Sequence, residues 1–469
     1  MLVTKRSAVL YLLVGCLVLF SAMGVNAATP HPSGSIDIDR LTHLDLITAQ
    51  RIALQGNPSL AAAKLRLKQA RQRVAQARSA YWPRLDATFS AARTYLSDSD
   101  YQSNLATARA LNPFAAVSSE MEAYKNGLSL TWTIFNGFQR KYDHLSARLG
   151  QSESKQAHQD ARRLLLSSVA TAYHNAQLAQ QNIVIAQANK AFNRRQLDDA
   201  KARRRAGTGS LSDVLNFEVR INAAESELIQ ANETQEIVLF SLAALMGFSN
   251  ADLPAGVQLD RLEDVLPETI DLTDAAKHIE YARQNRPDIR QGHYLLEQSK
   301  SNVGSARAGY YPSLNLAATL DGARTDDASF GSDDYGQTVA LSLSYNLFAG
   351  GYTRAKVAEA RARQAEAAKG LESLKINVAG EVKSALSGLR SARKQLLLQQ
   401  ANAKQVQQNR DLVQKTYKAG QVSLVRLNEA QRDLVTAQSR LALARVAQHQ
   451  ARENLLSATG QILTHFETP

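Results

Sequence analysis

Proline placement constrains this chain more than any other feature. All ten prolines fall at positions 30, 32, 58, 83, 113, 254, 267, 287, 312 and 469. Proline lacks a backbone N–H and breaks helix interiors. The proline-free runs Ala115–Leu253 and Ser313–Thr468 therefore leave room for very long helices. A chain of 469 residues would otherwise suggest about three compact domains. A single Cys excludes an internal disulfide framework and a Cys-based metal site. A mean hydropathy of -0.29 excludes a helical membrane protein with many spans. Hydrophobic residues at 44% and charged residues at 21% exclude wholesale disorder.

The first segment has the pattern of an export signal. Lys5 and Arg6 precede an apolar stretch, Ala8 to Val25, and Val25-Asn26-Ala27 places small residues before a cut after Ala27. Residues 1–27 are the expected signal peptide. Two other readings stay open: a retained anchor, and lipidation of Cys16 within Leu13-Val14-Gly15-Cys16. Removal of Lys5 and Arg6 lowers the net charge from +12 to +10.

The remainder is one unit written twice. Asn57-Pro58-Ser59-Leu60 returns as Arg286-Pro287-Asp288-Ile289, and Ala80-Tyr81-Trp82-Pro83 as Gly309-Tyr310-Tyr311-Pro312, both at an offset of 229. Ile134-Phe135-Asn136-Gly137 returns as Leu347-Phe348-Ala349-Gly350 at an offset of 213, which also relates Ala206-Gly207 to Ala419-Gly420 and Met246-Gly247 to Thr459-Gly460. The change of offset puts 16 extra residues into the first copy, between Pro83 and Phe135. The expected layout is a first repeat over 28–247, a connecting segment over 248–271, a second repeat over 272–460 and a tail over 461–469.

Each copy reads helix, strand, strand, long helix, helix. Gln139–Arg205 and Arg354–Lys418 are the long helices, and each ends just before a Gly, as helix C-termini do. At ~1.5 Å per residue each spans on the order of 100 Å. The helices that follow carry a heptad seam. Its steps in copy two are Leu427, Ala430, Leu434, Ala437, Leu441, Ala444, Gln448, Ala451, Leu455, Ala458 and Ile462. The same seam runs from Val214 to Ser249 in copy one, with Gln235 at the step of Gln448.

Between the helices the period changes from 3.5 to 2. Leu85, Ala87, Phe89 and Ala91 alternate with polar residues, as do Leu128, Leu130, Trp132 and Ile134. Copy two repeats this with Leu314, Leu316, Ala318 and Leu320, then Val339, Leu341, Leu343, Tyr345 and Leu347. Strands are expected at about 84–96, 123–135, 312–323 and 336–348, with residues 97–122 as a surface loop. Strands of about ten residues with one apolar and one small polar face suit a tilted membrane strand. Tyr81, Trp82, Trp132, Tyr310 and Tyr311 suit an interfacial aromatic girdle. Four strands cannot close a barrel, and an open edge in lipid leaves backbone groups unpaired. Eight strands from two copies enclose little more than side chains. The expected assembly is a homotrimer with a 12-stranded transmembrane β-barrel joined to an all-α coiled-coil barrel.

With these motifs in order, the chain resembles the TolC-type outer membrane efflux family. The resemblance rests on the Asn-Pro and Arg-Pro-Asp-Ile signals, Tyr-Trp-Pro and Tyr-Tyr-Pro before the strands, "LTWTIFNGF" with "LSYNLFAGG", and "LAALMG" with "LLSATG". It also rests on "AGTGSLSDVLNFEVRINAAESEL" with "KAGQVSLVRLNEAQRDLVTAQSRL". The resemblance implies a channel in the outer membrane with its helical part in the periplasm. It also implies a role as exit duct of a tripartite efflux or type I secretion system. The implied partners are outer membrane lipid, a periplasmic adaptor and, through it, an inner-membrane RND or ABC pump.

The resemblance places the adaptor-docking tips at Gly207, Thr208, Gly209, Ser210 and Leu211, and at Gly420, Gln421, Val422, Ser423 and Leu424. It places the periplasmic aperture at Asp213, Tyr417, Arg426 and Glu429. Arg426 stands where the family has a second acid, and Val422 where it has an arginine partner for the tyrosine. An Asp213–Arg426 pair across the closed tips is the expectation drawn from this exchange. Lys201, Arg203, Arg204 and Arg205 suit either favourable charge at a helix C-terminus or a docking role. The export signal argues against nucleic acid as their partner. The nine His show no metal-ligand spacing, and no phosphate-binding loop or nucleophile motif is present. No enzyme activity, cofactor or metal is expected. A periplasmic coiled-coil scaffold without a pore is the alternative.

Overall fold

The computed structural model describes residues 42–254, 256–263, 272–325 and 327–467. The expected signal, Cys16 and much of the connecting segment lie outside the described residues.

The first copy contains β1 (His43–Leu44), α1 (Leu46–Gly56), α2 (Pro58–Ser79), β2 (Arg84–Tyr95), α3 (Asp98–Leu111), β3 (Glu120–Asn136), α4 (Gln139–Arg205) and α5 (Leu211–Met246). A short strand, β4 (Gln258–Leu259), lies between the copies and pairs in parallel with β1. The second copy contains α6 (Ala275–Asn285), α7 (Pro287–Arg307), β5 (Ser313–Thr325), β6 (Tyr335–Ser344), α8 (Tyr352–Lys418) and α9 (Leu424–Thr459), followed by α10 (Gln461–Glu467). The twin helices match in length: α4 and α8 have 67 residues each, and α5 and α9 have 36.

Three sequence expectations need correction. The leading helix of each copy is two helices, because Pro58 and Pro287 each start a new one after a residue in extended conformation. Proline disfavours helical geometry in the residue before it. Residues 97–122 hold α3, capped by the Ser97 side chain and with Asp98 and Asp100 in its first turn. Finally, β6 stops at Ser344, short of the expected 348, so Tyr345 and Leu347 lie beyond the strand.

The four long strands form one antiparallel sheet in the order β2-β3-β5-β6. Register sets the two faces. Leu85, Leu130, Ala318 and Val339 stand in one row, and Ala87, Leu128, Leu320 and Gln337 in the next. Trp132, Leu316 and Leu341 form the row towards the helices. The opposite face carries Ser129, Thr319 and Thr338, and Thr133, Asn315 and Ser342. A bulge between Thr133 and Phe135 lets Phe135, rather than the expected Ile134, stand beside Leu314.

Among the described residues the helical layer is held by several small cores rather than one large one. One of them joins Ile289 of α7, Val378, Val382, Leu386 and Leu389 of α8, and Leu455 of α9. Within the chain α9 packs on both α8 and α4, whereas α5 packs mainly on α4. The seam follows this difference. Leu427, Ala430, Leu434, Ala437, Ala444, Gln448, Leu455 and Ala458 are buried in α9, but Leu228, Ala231, Gln235 and Val238 of α5 are only half-buried.

Candidate conduit wall and periplasmic tip

The sheet carries an apolar band on one face. Five successive rows, from Phe135, Leu314 and Leu343 to Phe89, Asn126, Gly322 and Tyr335, make up its height. At ~3.3 Å per residue that is roughly 26 Å along the strands, which a tilt of ~40° reduces to a height of about 20 Å, the greater part of the ~25 Å apolar band of outer-membrane barrels. At the end away from the helices the same face turns charged. Arg93 bonds Glu120 at 2.6 Å and also pairs with Glu122, which accepts from the Tyr124 hydroxyl at 2.8 Å. At the helical end stand the aromatics. Tyr81 and Trp82 link α2 to β2, Trp132 lies in β3, and Tyr310 and Tyr311 precede β5. All five are exposed. The Trp132 indole N–H donates to the Tyr81 carbonyl at 3.0 Å.

The strand order leaves β2 and β6 with one unpaired edge each. The helices repeat this, since α5 and α8 have no seam against each other within the chain like that between α4 and α9. Both edge helices expose apolar side chains, Ile229, Ile237 and Phe240 on α5 and Ile376, Leu397 and Leu398 on α8.

Two helical hairpins form the far end of the helical layer. Each turns through the same device. Gly207 and Gly420 have φ of 75° and 76°, a region where a Cβ is strained. The Gly207 and Thr208 N–H groups donate to Arg204 and Arg203 carbonyls, and those of Gly420 and Gln421 donate to Tyr417 and Thr416. This double bond pattern satisfies the last helix carbonyls. Ser210 and Ser423 then accept from backbone N–H groups and start α5 and α9. Gly209 has its own constraint, because a Cβ there would sit 2.8 Å from the Arg204 nitrogen.

The two tips share one core. Phe192, Leu197 and Ala200 of α4, Val214 and Phe217 of α5, Val413 of α8, and Leu427 and Ala430 of α9 are buried together. Tyr417, Val422 and Leu424 pack against this cluster. Thr208, Ser210, Leu211, Gln421 and Ser423 are exposed. Polar bonds add register: Asn428 donates to Asn216 at 3.1 Å, and Gln431 to Asn189 at 3.1 Å.

The residues expected at the aperture divide. Arg426 bonds Glu429 on its own helix at 3.4 Å, so the expected Asp213–Arg426 pair is not made within the chain. An i,i+3 pair needs no approach of two hairpins. Asp213 bears instead on Tyr417. Burial, and then the charge of Asp213, push the Tyr417 hydroxyl pKa up, against the pull of Arg203. The Arg203 guanidinium lies 5.1 Å from the Tyr417 ring centroid. No local sequence pattern links an arginine to Tyr417, because Arg203 lies in the other repeat and only packing brings them together. Lys418 and Asp199 join the same two helices at 3.4 Å, and Lys201 bonds Glu218 at 3.1 Å. The basic cluster is thus partly engaged within the chain.

This arrangement is that of an outer-membrane channel of the efflux type: a lipid-height sheet, a long helical wall and paired helical tips. The family model "Outer membrane efflux protein" matches residues 50–248 and 278–461, one segment per repeat, and the chain belongs to that family. It is a protein of the Gram-negative outer membrane with its helices in the periplasm, and it is a channel-type protein rather than an enzyme. Among its relatives is the pyoverdine export outer membrane protein OpmQ of Pseudomonas aeruginosa, 27% identical over 87% of this chain and 83% of the relative. The alkaline protease secretion protein AprF of the same organism is 25% identical over 68% of this chain and 65% of its own length. The crystal structure of the Campylobacter jejuni CmeC outer membrane channel shares the fold, with a TM-score of 0.75 over 94% of this chain and 98% of that one, at 18% identity.

Proposed function

We propose that three copies of this chain form a passive exit duct: a 12-stranded barrel in the outer membrane continuing into a periplasmic helical tunnel. The observation that carries the proposal is that sheet and helical layer are open on matching sides, at β2 and β6 and at α5 and α8. A chain with two open sides in both layers is completed by copies of itself. The duplication supplies the geometry. Inside the chain, Gln450 of α9 reaches Thr171 and Asn175 of α4. The repeat offset turns these into Ile237 of α5, and Ser384 and Gly388 of α8. Ile237 of one copy thus faces Gly388 of the next, an apolar side chain against a residue without one. The duct works within a tripartite efflux or type I secretion system. Its tips, Gly207–Leu211 and Gly420–Leu424, dock a periplasmic adaptor bound to an RND or ABC pump. Residues 1–27 serve as the export signal.

Cysteines placed by Ile237→Cys with Gly388→Cys test the assembly. A disulfide-linked trimer is expected, and a protein that stays monomeric and non-conducting in planar bilayers would favour the scaffold reading. The tip hypothesis is that Arg203 stacked on Tyr417 holds the closed aperture. Arg203→Ala should raise single-channel conductance, and an unchanged conductance would remove Arg203 from the latch. Sensitivity of a deletion strain to a panel of toxicants, and its loss of secreted proteins, would separate efflux from secretion.

A further inference from the structure

The helical end of the sheet holds a feature that a general aromatic girdle does not explain. An open cleft of about 480 Å³ lies where α2 gives way to β2, lined by Arg78, Tyr81, Trp82, Trp132 and His144. Its walls are set by bonds outside the cleft. Trp132 is fixed by its N–H on the Tyr81 carbonyl. Arg140 lies 5.2 Å from the Tyr81 ring centroid and donates to the Ala80 carbonyl at 3.1 Å and the Ile134 carbonyl at 2.6 Å. His144 meets the Tyr81 ring edge-on, with centroids 6.0 Å apart. The nearby carboxylates are engaged elsewhere, Asp86 with Arg84 and Asp143 with the Ser305 hydroxyl. Among the described residues Arg78 has no acidic partner, and the Trp82 indole N–H has no protein acceptor. The cleft is therefore cationic, rich in donors and walled by aromatics, and it opens beside the apolar row of Trp132, Leu316 and Leu341.

The second repeat provides an internal control. The counterparts of Arg78, Tyr81, Trp82 and Trp132 are Arg307, Tyr310, Tyr311 and Tyr345, but those of Arg140 and His144 are Thr353 and Val357. Val357 is buried, and the Thr353 methyl lies 3.1 Å from where a Cβ on Gly309 would sit. Copy two keeps the arginine and the aromatic character while replacing both inner nitrogen-bearing groups. The cluster in copy one is thus more than the junction itself needs.

We propose that this cleft binds the headgroup of an anionic glycerophospholipid, of the phosphatidylglycerol type, from the periplasmic leaflet of the outer membrane. Arg78 and His144 donate to the phosphate, the Trp82 N–H to a phosphate or glycerol oxygen, and the acyl chains run along the apolar rows. Arg140 positions Tyr81 and adds positive charge without reaching the ligand. A zwitterionic headgroup fits less well, because its ammonium would meet the Arg78 charge with Arg140 behind it, and no carboxylate lines the cleft. The proposal rests on the reading that the five aromatics mark the periplasmic boundary of the membrane. It does not depend on the number of copies in the assembly.

Native mass spectrometry of the detergent-released full-length protein tests it, with phosphatidylglycerol, phosphatidylethanolamine and inorganic phosphate titrated separately. Saturable retention of phosphatidylglycerol is expected, with phosphatidylethanolamine weaker and inorganic phosphate not retained. Arg78→Gln and His144→Gln should each weaken retention about tenfold, as the loss of one charge-assisted bond does. Arg307→Gln, the matching change in copy two, should leave it unaltered. Equal retention of both lipids, equal binding of free phosphate, or no difference between Arg78→Gln and Arg307→Gln would each overturn the proposal. So would efficient disulfide formation between copies in a Trp82→Cys, Leu347→Cys protein, because the neighbouring chain would then fill the cleft. Conductance measured on the same preparations keeps the two readings apart. Lipid loss with conductance retained counts against the cleft alone, and lipid retention without conductance counts against the duct alone.

Discussion

The two repeats perform the same structural task with different chemistry, most visibly where α1 meets α2 and α6 meets α7. In copy one the Asn57 side chain donates to the Leu245 carbonyl at 2.9 Å. In copy two Arg286 takes that position and donates to the carbonyl of Ala458, the counterpart of Leu245, also at 2.9 Å. The shared bond secures the break before each proline to the end of the last helix. Arg286 does more. It forms a bidentate pair with Asp288 and bonds Glu381 at 2.6 Å, while being only 2% exposed. The duplicated positions of those acids are Ser59 and Ser168. Copy one thus uses a neutral bond, and copy two a buried Arg–Asp pair extended to the half-exposed Glu381 at the same point.

The largest expected effect breaks that network. Arg286→Ala strands the largely buried Asp288, while the half-exposed Glu381 stays solvated, and should cost about 3 kcal/mol in unfolding free energy. Asn57→Ala should cost only about 1–2 kcal/mol. Equal losses in chemical denaturation would erase the distinction between the copies. Burial opposes ionisation of Asp288, but Arg286 outweighs it and holds the carboxyl pKa below the ordinary range. A carboxyl with a depressed folded pKa stabilises the fold above its unfolded pKa, near 4, and loses that stabilisation as pH falls further. Arg286→Ala should therefore flatten the acid limb of the stability curve.

The next effect concerns a pair that has no duplicate. His174 on α4 stacks on His449 on α9, with ring centroids 4.7 Å apart, and bonds Gln177 at 2.9 Å. Their repeat counterparts are Ser387 and Glu236. Burial pulls the His174 pKa down to about 4. The folded state resists protonation there, so stability is full above about pH 6.5 and falls as pH drops towards 4. The loss reaches about 3 kcal/mol per chain, because each pKa unit is worth ~1.4 kcal/mol. His174→Gln should remove this slope from thermal midpoints measured across pH 4–7, and an unchanged slope would contradict it.

Comparable in size is the contrast between Gly247 and Gly460, which end α5 and α9. A Cβ on Gly247 would meet the Gly56 carbonyl oxygen at 2.2 Å, whereas one on Gly460 meets Arg286 atoms at 3.4 Å. Gly247→Ala adds a backbone clash to the left-handed strain and should cost about 3 kcal/mol, while Gly460→Ala pays the strain alone, ~1 kcal/mol. Equal midpoint shifts for the two would show that α5 yields where α9 does not. The smallest effect sits at the start of α9, where the aperture is proposed. Arg426 and Glu429 are both exposed and lie on one helix, so Arg426→Ala should change stability by under about 0.5 kcal/mol.

Much of this is legible in the sequence. The ends of α4, α5, α8 and α9 follow from glycines, serines and the proline-free runs, all of them local signals. The strand faces follow from alternation, up to the bulge before Phe135, which inserts one residue without marking the sequence. The helix α3 is not legible, because a polar stretch between strands reads as a loop. At the tip, Tyr417 and Asp213 were visible as residue types, but the Arg203 partner was not.

The sequence by itself determined the duplication, the lengths of the long helices and the two faces of the strands. These are one-dimensional properties: period, spacing and the absence of proline. Only the tertiary structure decided which helix is buried and which is an edge. It alone brought Arg203 to Tyr417 and Arg286 to Glu381, and gathered Arg78, Trp82, Trp132 and His144 into one cleft. Those groups lie far apart along the chain, and only packing, which no local pattern encodes, sets their distances.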